Sequence, residues 1–303
     1  MIPSRLMERQ PREKILCIAG PTASGKSSRA VEEALARGRL PAGRQGEIIS
    51  VDSRQVYRGL DIGTEKILAP EMRGVPHHLI DIRDVSVPYS AGDFVQDARR
   101  LITEILARGN LPILVGGTHF YFDALLKGLP LGTDMNTALR EELEHLSDEE
   151  LYARIRSKDA RRALALDPHN RRRLIRALEL IDAHGEVPTR TPTTSYATEW
   201  IIIDPPREEL RTRIDTRLAS ALERGLVGEV RLVRESVGDA RLAELGLEYR
   251  VVGEYLRGER TEASLLPTLS AKLWQYARRQ KAWLRKLTEE EIISATPSPQ
   301  DKN

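Results

Sequence analysis

A chain of 303 residues, 40% apolar and 30% charged, is long enough for about two domains and has the balance of a globular protein rather than a disordered or fibrous one. Its net charge of +2 gives no reason, as a total, to expect a polyanionic partner, and no apolar run nears the ~20 residues that cross a bilayer. The single cysteine, Cys17, excludes an internal disulfide and a cysteine-based zinc site, and reads as a small core residue.

Residues 1–13 carry Pro3, Pro11 and mixed charges with no apolar stretch, which predicts a flexible start, no export signal, a cytoplasmic location and no membrane partner. The apolar run 15–19 then predicts a buried strand. Directly after it, Gly20-Pro21-Thr22-Ala23-Ser24-Gly25-Lys26-Ser27 matches G-x-x-x-x-G-K-[ST], with a helix-compatible stretch over 28–37. This is the pattern of a phosphate cradle. Glycines let successive N–H groups turn toward a polyphosphate, Lys26 adds a mobile cation, and the Ser27 hydroxyl can ligate Mg²⁺ at a helix start.

Strand-like runs follow at 47–51, 78–82 and 111–115, separated by helical stretches, of which 90–108 is clearest: Ser90-x-x-Asp93 has the form of a capping box and Arg108-Gly109 closes it. Alternating strands and helices predict an α/β fold, a parallel sheet flanked by helices in the manner of P-loop NTPases, with ligands at the strands' carboxyl ends. The loop 20–27, Asp52 and Gly116-Gly117-Thr118 all fall there. Asp52 could hold Mg²⁺ through water, act as a general base, or cap the turn that follows it. Asp61-Ile62-Gly63-Thr64 is a weaker signal, with Gly63 permitting close backbone approach, and Gly116-Gly117-Thr118 could bind an anion or be only a tight turn. His77-His78 lacks a third ligand at metal spacing and reads as structural.

From 129 to 197 the pattern turns helical and charged, ending in a loop-like stretch from 185 with Pro188 and Pro192, before strand character returns at 200–204. We read 129–197 as a mostly helical insertion between a first core segment, 14–128, and a second, 198–290. Residues 141–150 are acidic. The next stretch is basic, with Arg154, Arg156, Lys158, Arg161, Arg162, Arg171, Arg172, Arg173 and Arg176 against Asp159 and Asp167, which suits contacts to a phosphate backbone as well as a solvated face. From Arg207 the chain is helical again, with breaks near Gly225, Gly246 and Gly258, a final helix over 266–287 and a disordered tail over 291–303. Arg213 and Arg217, at i and i+4, share a helix face and could pair with carboxylates or clamp a diphosphate. Arg278-Arg279-Gln280 with Trp283 mixes cations and an indole, for phosphate and base contacts or for packing.

Taken together, Gly20–Ser27, Ser50-Val-Asp52-Ser53-Arg54-Gln55-Val-Tyr57, Asp61-Ile-Gly63-Thr64, His78-Leu-Ile-Asp81, Leu114-Val-Gly-Gly-Thr118 with Tyr121, Arg172-Arg173-Leu174-Ile175-Arg176-Ala-Leu-Glu179 and Ala277-Arg-Arg-Gln280 with Trp283 make the chain resemble the tRNA dimethylallyltransferases, also called tRNA isopentenyltransferases, over nearly its whole length. The resemblance implies transfer of a dimethylallyl group from dimethylallyl diphosphate to N6 of the adenine immediately 3′ of the anticodon, with Mg²⁺ as cofactor, tRNA as partner and a monomeric enzyme. It implies that Gly20–Ser27 hold the donor diphosphate, that Lys26 neutralises the leaving charge, that Asp52 is the base, and that Thr118 and Arg217 position the diphosphate and the amine. It further assigns Asp52-Ser53-Arg54-Gln55, Thr118, Arg140, Arg172-Arg173-Leu174-Ile175-Arg176 and Leu245-Gly246-Leu247-Glu248-Tyr249-Arg250 to tRNA contacts. Glu65 and Ile67 depart from the Ala and Pro expected there, Glu248 stands where Gly usually precedes Tyr249, and Leu284 where an aromatic residue follows Trp283. The residues alone leave open a prenyltransferase acting on free adenylate, a P-loop kinase or NTPase, and a non-catalytic RNA-binding protein.

Overall fold

The computed structural model describes residues 13–37, 45–129, 136–188 and 196–295. Residues 1–12 of the expected flexible start (1–13), the stretch 189–195 of the expected loop and the end of the expected tail (296–303) lie outside the described residues. The chain divides into two compact units, residues 1–122 with 195–303, and residues 123–194.

The first unit is built on a five-stranded parallel sheet in the order β3-β2-β4-β1-β5, from β1 (Lys14–Ala19), β2 (Gly46–Val51), β3 (His77–His78), β4 (Leu111–Gly116) and β5 (Ala197–Ile202). In β1 every residue after Lys14 is buried, as expected for a central strand covered on both faces, whereas the edge strand β5 is half-buried throughout. Helix α1 (Lys26–Arg37) packs Ala30, Val31 and Ala34 against Leu16, Ile18, Ile48, Ile113 and Val115. Strand alternation puts Ile15, Cys17, Ile49 and Leu114 on the opposite face, where they are also fully buried.

After α2 (Ala69–Met72), helix α3 (Ala91–Ala107) starts as its sequence predicts: Ser90 Oγ accepts from the Asp93 N–H and Asp93 Oδ2 accepts from the Ser90 N–H at 2.8 Å. Gly109, at φ 78°, closes it. The strand expected over 78–82 ends instead after His78. Leu79 (φ 63°) and Asp81 (φ 56°) take left-handed conformations that break the ladder, and Asp81 turns to meet Lys66.

Helix α4 (His119–Lys127) leads to the helical unit, which contains α5 (Thr137–Glu144), α6 (Asp148–Lys158), α7 (Ala160–Leu164) and α8 (Arg171–His184). Asn136, Ser147, Asp159 and Asn170 cap their N-termini. Leu143, Leu151, Ile155, Leu174, Ile175, Leu178 and Ile181 form its core.

The chain then returns to β5 and continues through α9 (Arg207–Glu223), α10 (Leu226–Glu244), α11 (Leu247–Leu256) and α12 (Leu265–Ala295). The expected breaks at Gly225, Gly246 and Gly258 are all glycines at positive φ, and Gly238 adds a kink inside α10. Helix α12 outruns the expected end at 287 and takes up the first residues of the expected tail. Among the described residues no helix is long and apolar enough to cross a membrane.

Candidate active site

The phosphate loop leaves β1 and ends in the first turn of α1, so its N–H groups and the helix N-terminus face one cavity of about 890 Å³. The turn is tight. A side chain at Gly20 would meet Ser24 Oγ at 2.5 Å and the Ile203 carbonyl at 2.8 Å, while Gly25 sits at φ 86°. Lys26 Nζ donates to the Pro21 carbonyl at 3.2 Å, bending back over the loop. Burial lowers its pKa to about 8, an effect that Asp52 opposes and Arg217 reinforces. Ser27 borders the same cavity.

Asp52 lies just past the end of β2. Its Oδ1 accepts from the N–H groups of Arg54 (2.8 Å) and Gln55 (3.2 Å), so the capping role is real, and Oδ2 has no hydrogen bond among the described residues. One oxygen therefore orients the carboxylate and the other is open to the cavity's contents. Ser53 and Arg54 line the cavity beside it. Gln55, expected to touch tRNA, spends its side chain internally: Nε2 donates to the Thr64 and Glu65 carbonyls, both at 3.2 Å, and Oε1 accepts from Ser50 Oγ. That ties the Asp52 turn to the Gly63 loop.

The Gly116-Gly117-Thr118 turn crosses the end of β2 so closely that a Cβ on Gly116 would collide with the Val51 carbonyl. The Thr118 N–H donates to that carbonyl at 3.3 Å, leaving its side chain on the cavity wall. Gln280, 2% exposed, bridges this turn to the phosphate loop: its Oε1 accepts from the Thr22 N–H at 2.8 Å and its Nε2 donates to the Gly117 carbonyl at 2.9 Å. Trp283, one turn on, stacks on His119 at 4.9 Å, so the indole packs rather than facing a ligand.

Arg213 and Arg217 share a face of α9, as expected, and each meets a carboxylate. Arg213 pairs with Glu209 at 2.5 Å and donates to the Ser24 carbonyl. Arg217 reaches the cavity, donating through Nη1 to Thr22 Oγ1 and through Nη2 to the Gly63 carbonyl at 3.3 Å, with Glu248 Oε1 at 3.6 Å. Burial raises the Glu248 carboxyl despite Arg217. The whole segment Leu245-Gly246-Leu247-Glu248-Tyr249-Arg250 lines the cavity, with Leu245 and Tyr249 buried in its wall and the other four at least partly exposed. Lys272, Tyr276 and Arg279 on α12 complete a predominantly cationic wall. His77 Nδ1 is hydrogen-bonded to the Val75 carbonyl and His78 Nε2 to Glu47, the structural roles expected of them. No cluster of three or more metal-ligating side chains occurs among the described residues.

Within the helical unit the basic run proves heterogeneous. Leu174 (0% exposed) and Ile175 (2%) are core residues with no surface to offer a partner, which corrects their expected role in touching tRNA. Arg140 and Arg176 both pair with Glu179, Arg154 with Glu142, and Arg171 with Glu144 and Asp148. Arg172 and Arg173 are exposed and have no ion pair among the described residues. Sequence reasoning passed over Glu229, which binds the backbone of the Gly63 loop, and named Gln280 only for phosphate and base contacts or packing, not for a bridge that spans most of the chain.

The family model described as IPP transferase matches residues 55–287. The tRNA dimethylallyltransferase of Streptococcus pyogenes serotype M49 is 41% identical over 276 residues, 90% of this chain and 88% of that one. That of Thermomicrobium roseum is 38% identical over 294 residues, 94% and 87% of the two chains. Among solved structures, the full-length tRNA isopentenylpyrophosphate transferase from Bacillus halodurans is similar with a TM-score of 0.67 at 38% identity, covering 90% of this chain and 87% of that chain. A eukaryotic dimethylallyltransferase acting on tRNA reaches 0.77 at 27% identity, covering 90% and 70%. The chain belongs to the IPP transferase family and is a transferase.

Proposed function

We propose that this protein transfers a dimethylallyl group from dimethylallyl diphosphate to N6 of the adenine 3′-adjacent to the anticodon in tRNA, releasing diphosphate. The observation that carries the reading is one cavity that combines a phosphate loop, two inward cations (Lys26 and Arg217) and a carboxylate with one oxygen held and one open. A cavity of about 890 Å³ suits a five-carbon diphosphate together with an extruded adenine. Val31, Ile48, Ile67 and Val115 supply apolar lining for the prenyl chain.

The chemistry follows from the placement of charge. The C1–O bond of the donor breaks with its electron pair passing to the diphosphate, whose charge is stabilised by the loop N–H groups, Lys26 and Arg217. The N6 lone pair forms the new bond to C1, and the N6 proton passes to Asp52 Oδ2. Thr118 lies on the same wall and orients the amine. The oxygen donors available, the Ser27 hydroxyl and the donor's own phosphate oxygens, fit Mg²⁺, which keeps water ligands and binds substrate phosphates. When bound there it supplies further neutralisation of the leaving diphosphate. Ser53, Arg54, Leu247, Glu248 and Arg250 border the cavity as contacts for the nucleotide entering it, and Arg172 and Arg173 hold tRNA phosphates. The same reading takes the enzyme to work on tRNA as a monomer in the cytoplasm.

Incubation with labelled dimethylallyl diphosphate, Mg²⁺ and total tRNA, followed by nucleoside analysis, tests this. Label in N6-dimethylallyladenosine is expected. Transfer to free adenylate but not tRNA, or ATP turnover without prenyl transfer, overturns it in favour of the two enzymatic alternatives.

A further inference from the structure

Three consecutive backbone N–H groups, of Asp61, Ile62 and Gly63, converge on one carboxylate. Glu229 Oε2 accepts from Asp61 at 3.0 Å and Ile62 at 2.7 Å, and Oε1 accepts from Gly63 at 3.0 Å and from the Tyr249 hydroxyl at 2.6 Å. Such a run of N–H groups is an anion-binding concavity, here filled by the protein's own side chain from the first turn of α10. Tyr249 can reach Glu229 because residue 63 is glycine: a Cβ there would sit 2.9 Å from the Tyr249 ring. Burial and the neighbouring Glu229 charge raise the phenol far above its usual pKa, so it remains a donor. The same loop presents the Gly63 carbonyl to Arg217 Nη2.

We propose that Glu229 is a positioning residue for the reaction: by holding the Asp61–Gly63 backbone it fixes the carbonyl that aims Arg217 at the donor diphosphate. The inference rests on the reading of Arg217 as a diphosphate contact. A glutamine at 229 keeps the size of the side chain but turns a donor toward N–H or hydroxyl groups that need an acceptor, so at least one of the four bonds is lost and the loop carbonyl is released. Glu248, the other carboxylate near Arg217, meets the guanidinium directly and makes no hydrogen bond to the loop among the described residues. It therefore gives Arg217 a counter-charge, whereas Glu229 sets its direction.

A double-mutant cycle tests the coupling, with inorganic pyrophosphate binding measured by calorimetry and single-turnover prenyl transfer measured alongside. Glu229→Gln should weaken pyrophosphate binding about tenfold in the native background and less than about twofold when combined with Arg217→Lys, because the aim of the guanidinium is already lost. Equal losses in both backgrounds, or no loss in the first, overturn the proposal, since a merely structural Glu229 gives additive effects. If Glu229→Gln fails to fold by circular dichroism, Tyr249→Phe, which removes one bond of the four, replaces it with an expected loss of about threefold. Native protein that binds pyrophosphate but prenylates no tRNA would instead refute the proposed function, and the cycle would still be read on pyrophosphate.

Discussion

In the sheet-bearing unit Lys26, Asp52, Arg217 and Glu248 line one cavity, and Lys26, Asp52 and Arg217 are each oriented by a hydrogen bond to a named backbone group, as is Glu229 behind the Gly63 loop. In the helical unit charge is spread over a surface, and acids upstream neutralise much of it: Arg171 alone engages Glu144, Asp148 and the carbonyls of Leu143, Leu146 and Glu144. Oriented charge in a partly dry cavity suits stabilisation of a specific transition state, because little reorganisation is left to do. Dispersed surface charge suits a long polyanion, where affinity depends on how many phosphates are neutralised and on the salt concentration. Only cations without an internal acid count fully toward that number, which in α8 means Arg172 and Arg173 more than Arg176.

The sharpest way to break this contrast is to damage one region and find the loss in the other. Asp52→Asn keeps the Oδ1 cap but removes the proton acceptor, and Lys26→Ala removes the inward cation; each should cut single-turnover transfer on the order of 10²–10⁴-fold with tRNA affinity unchanged. A loss confined to tRNA binding would reverse the assignment of roles. Rescue of Asp52→Asn by raised Mg²⁺ would make that residue a metal holder instead.

In the helical unit Leu174→Ala should cost about 2–5 kcal/mol, read as a lowered unfolding midpoint, because Leu174 is 0% exposed in the core. An unchanged midpoint would restore it as a surface residue. Arg172→Ala with Arg173→Ala should leave the midpoint intact and flatten the salt dependence of tRNA binding by roughly 0.7–0.9 log–log units for each phosphate no longer neutralised. Arg171→Ala should do the opposite, lowering the midpoint with little change in slope.

Smaller effects depend on pH. Burial lowers the Lys26 pKa to about 8, so pyrophosphate affinity should fall as pH rises through that value, by up to about tenfold per unit, as the cation is lost. Affinity unchanged up to about pH 9.5 would remove Lys26 from the anion site. Burial alone would raise Glu47, but hydrogen bonds from Arg108, Asn110 and His78 outweigh it and bring the carboxyl down to about 2. A carboxyl depressed on folding stabilises fully above its ordinary value of 4.5, and that contribution disappears as pH falls from 4.5 toward 2. Glu47→Gln should lower stability at neutral pH and remove this part of the acid sensitivity.

What could be read in advance was local. The phosphate loop, the strand before it, the α3 cap and the glycine breaks between α9, α10, α11 and the turn after α11 are each specified by residues within a few positions of one another. A strand over 78–82 is the wrong reading because its apolar pattern suits a strand, and nothing in it announces the left-handed Leu79 and Asp81, whose turn is bound up with the distant contact to Lys66. Arg171 and Arg172 are indistinguishable by composition, since the partners of Arg171 lie 27 and 23 residues upstream. Glu229 escapes notice for the same reason, as the N–H groups it accepts from are 166 to 168 residues away.

The bridge made by Gln280 imposes an order on biosynthesis. It joins residues 258 positions apart, so the phosphate loop can emerge from the ribosome and form its strand and helix long before the group that braces Thr22 and Gly117 exists. Closing so long a loop is slow compared with local helix formation. A nascent chain halted ahead of α12 would carry the most recognisable motif of the protein in an unbraced form, and competence would arrive only when the final helix docks.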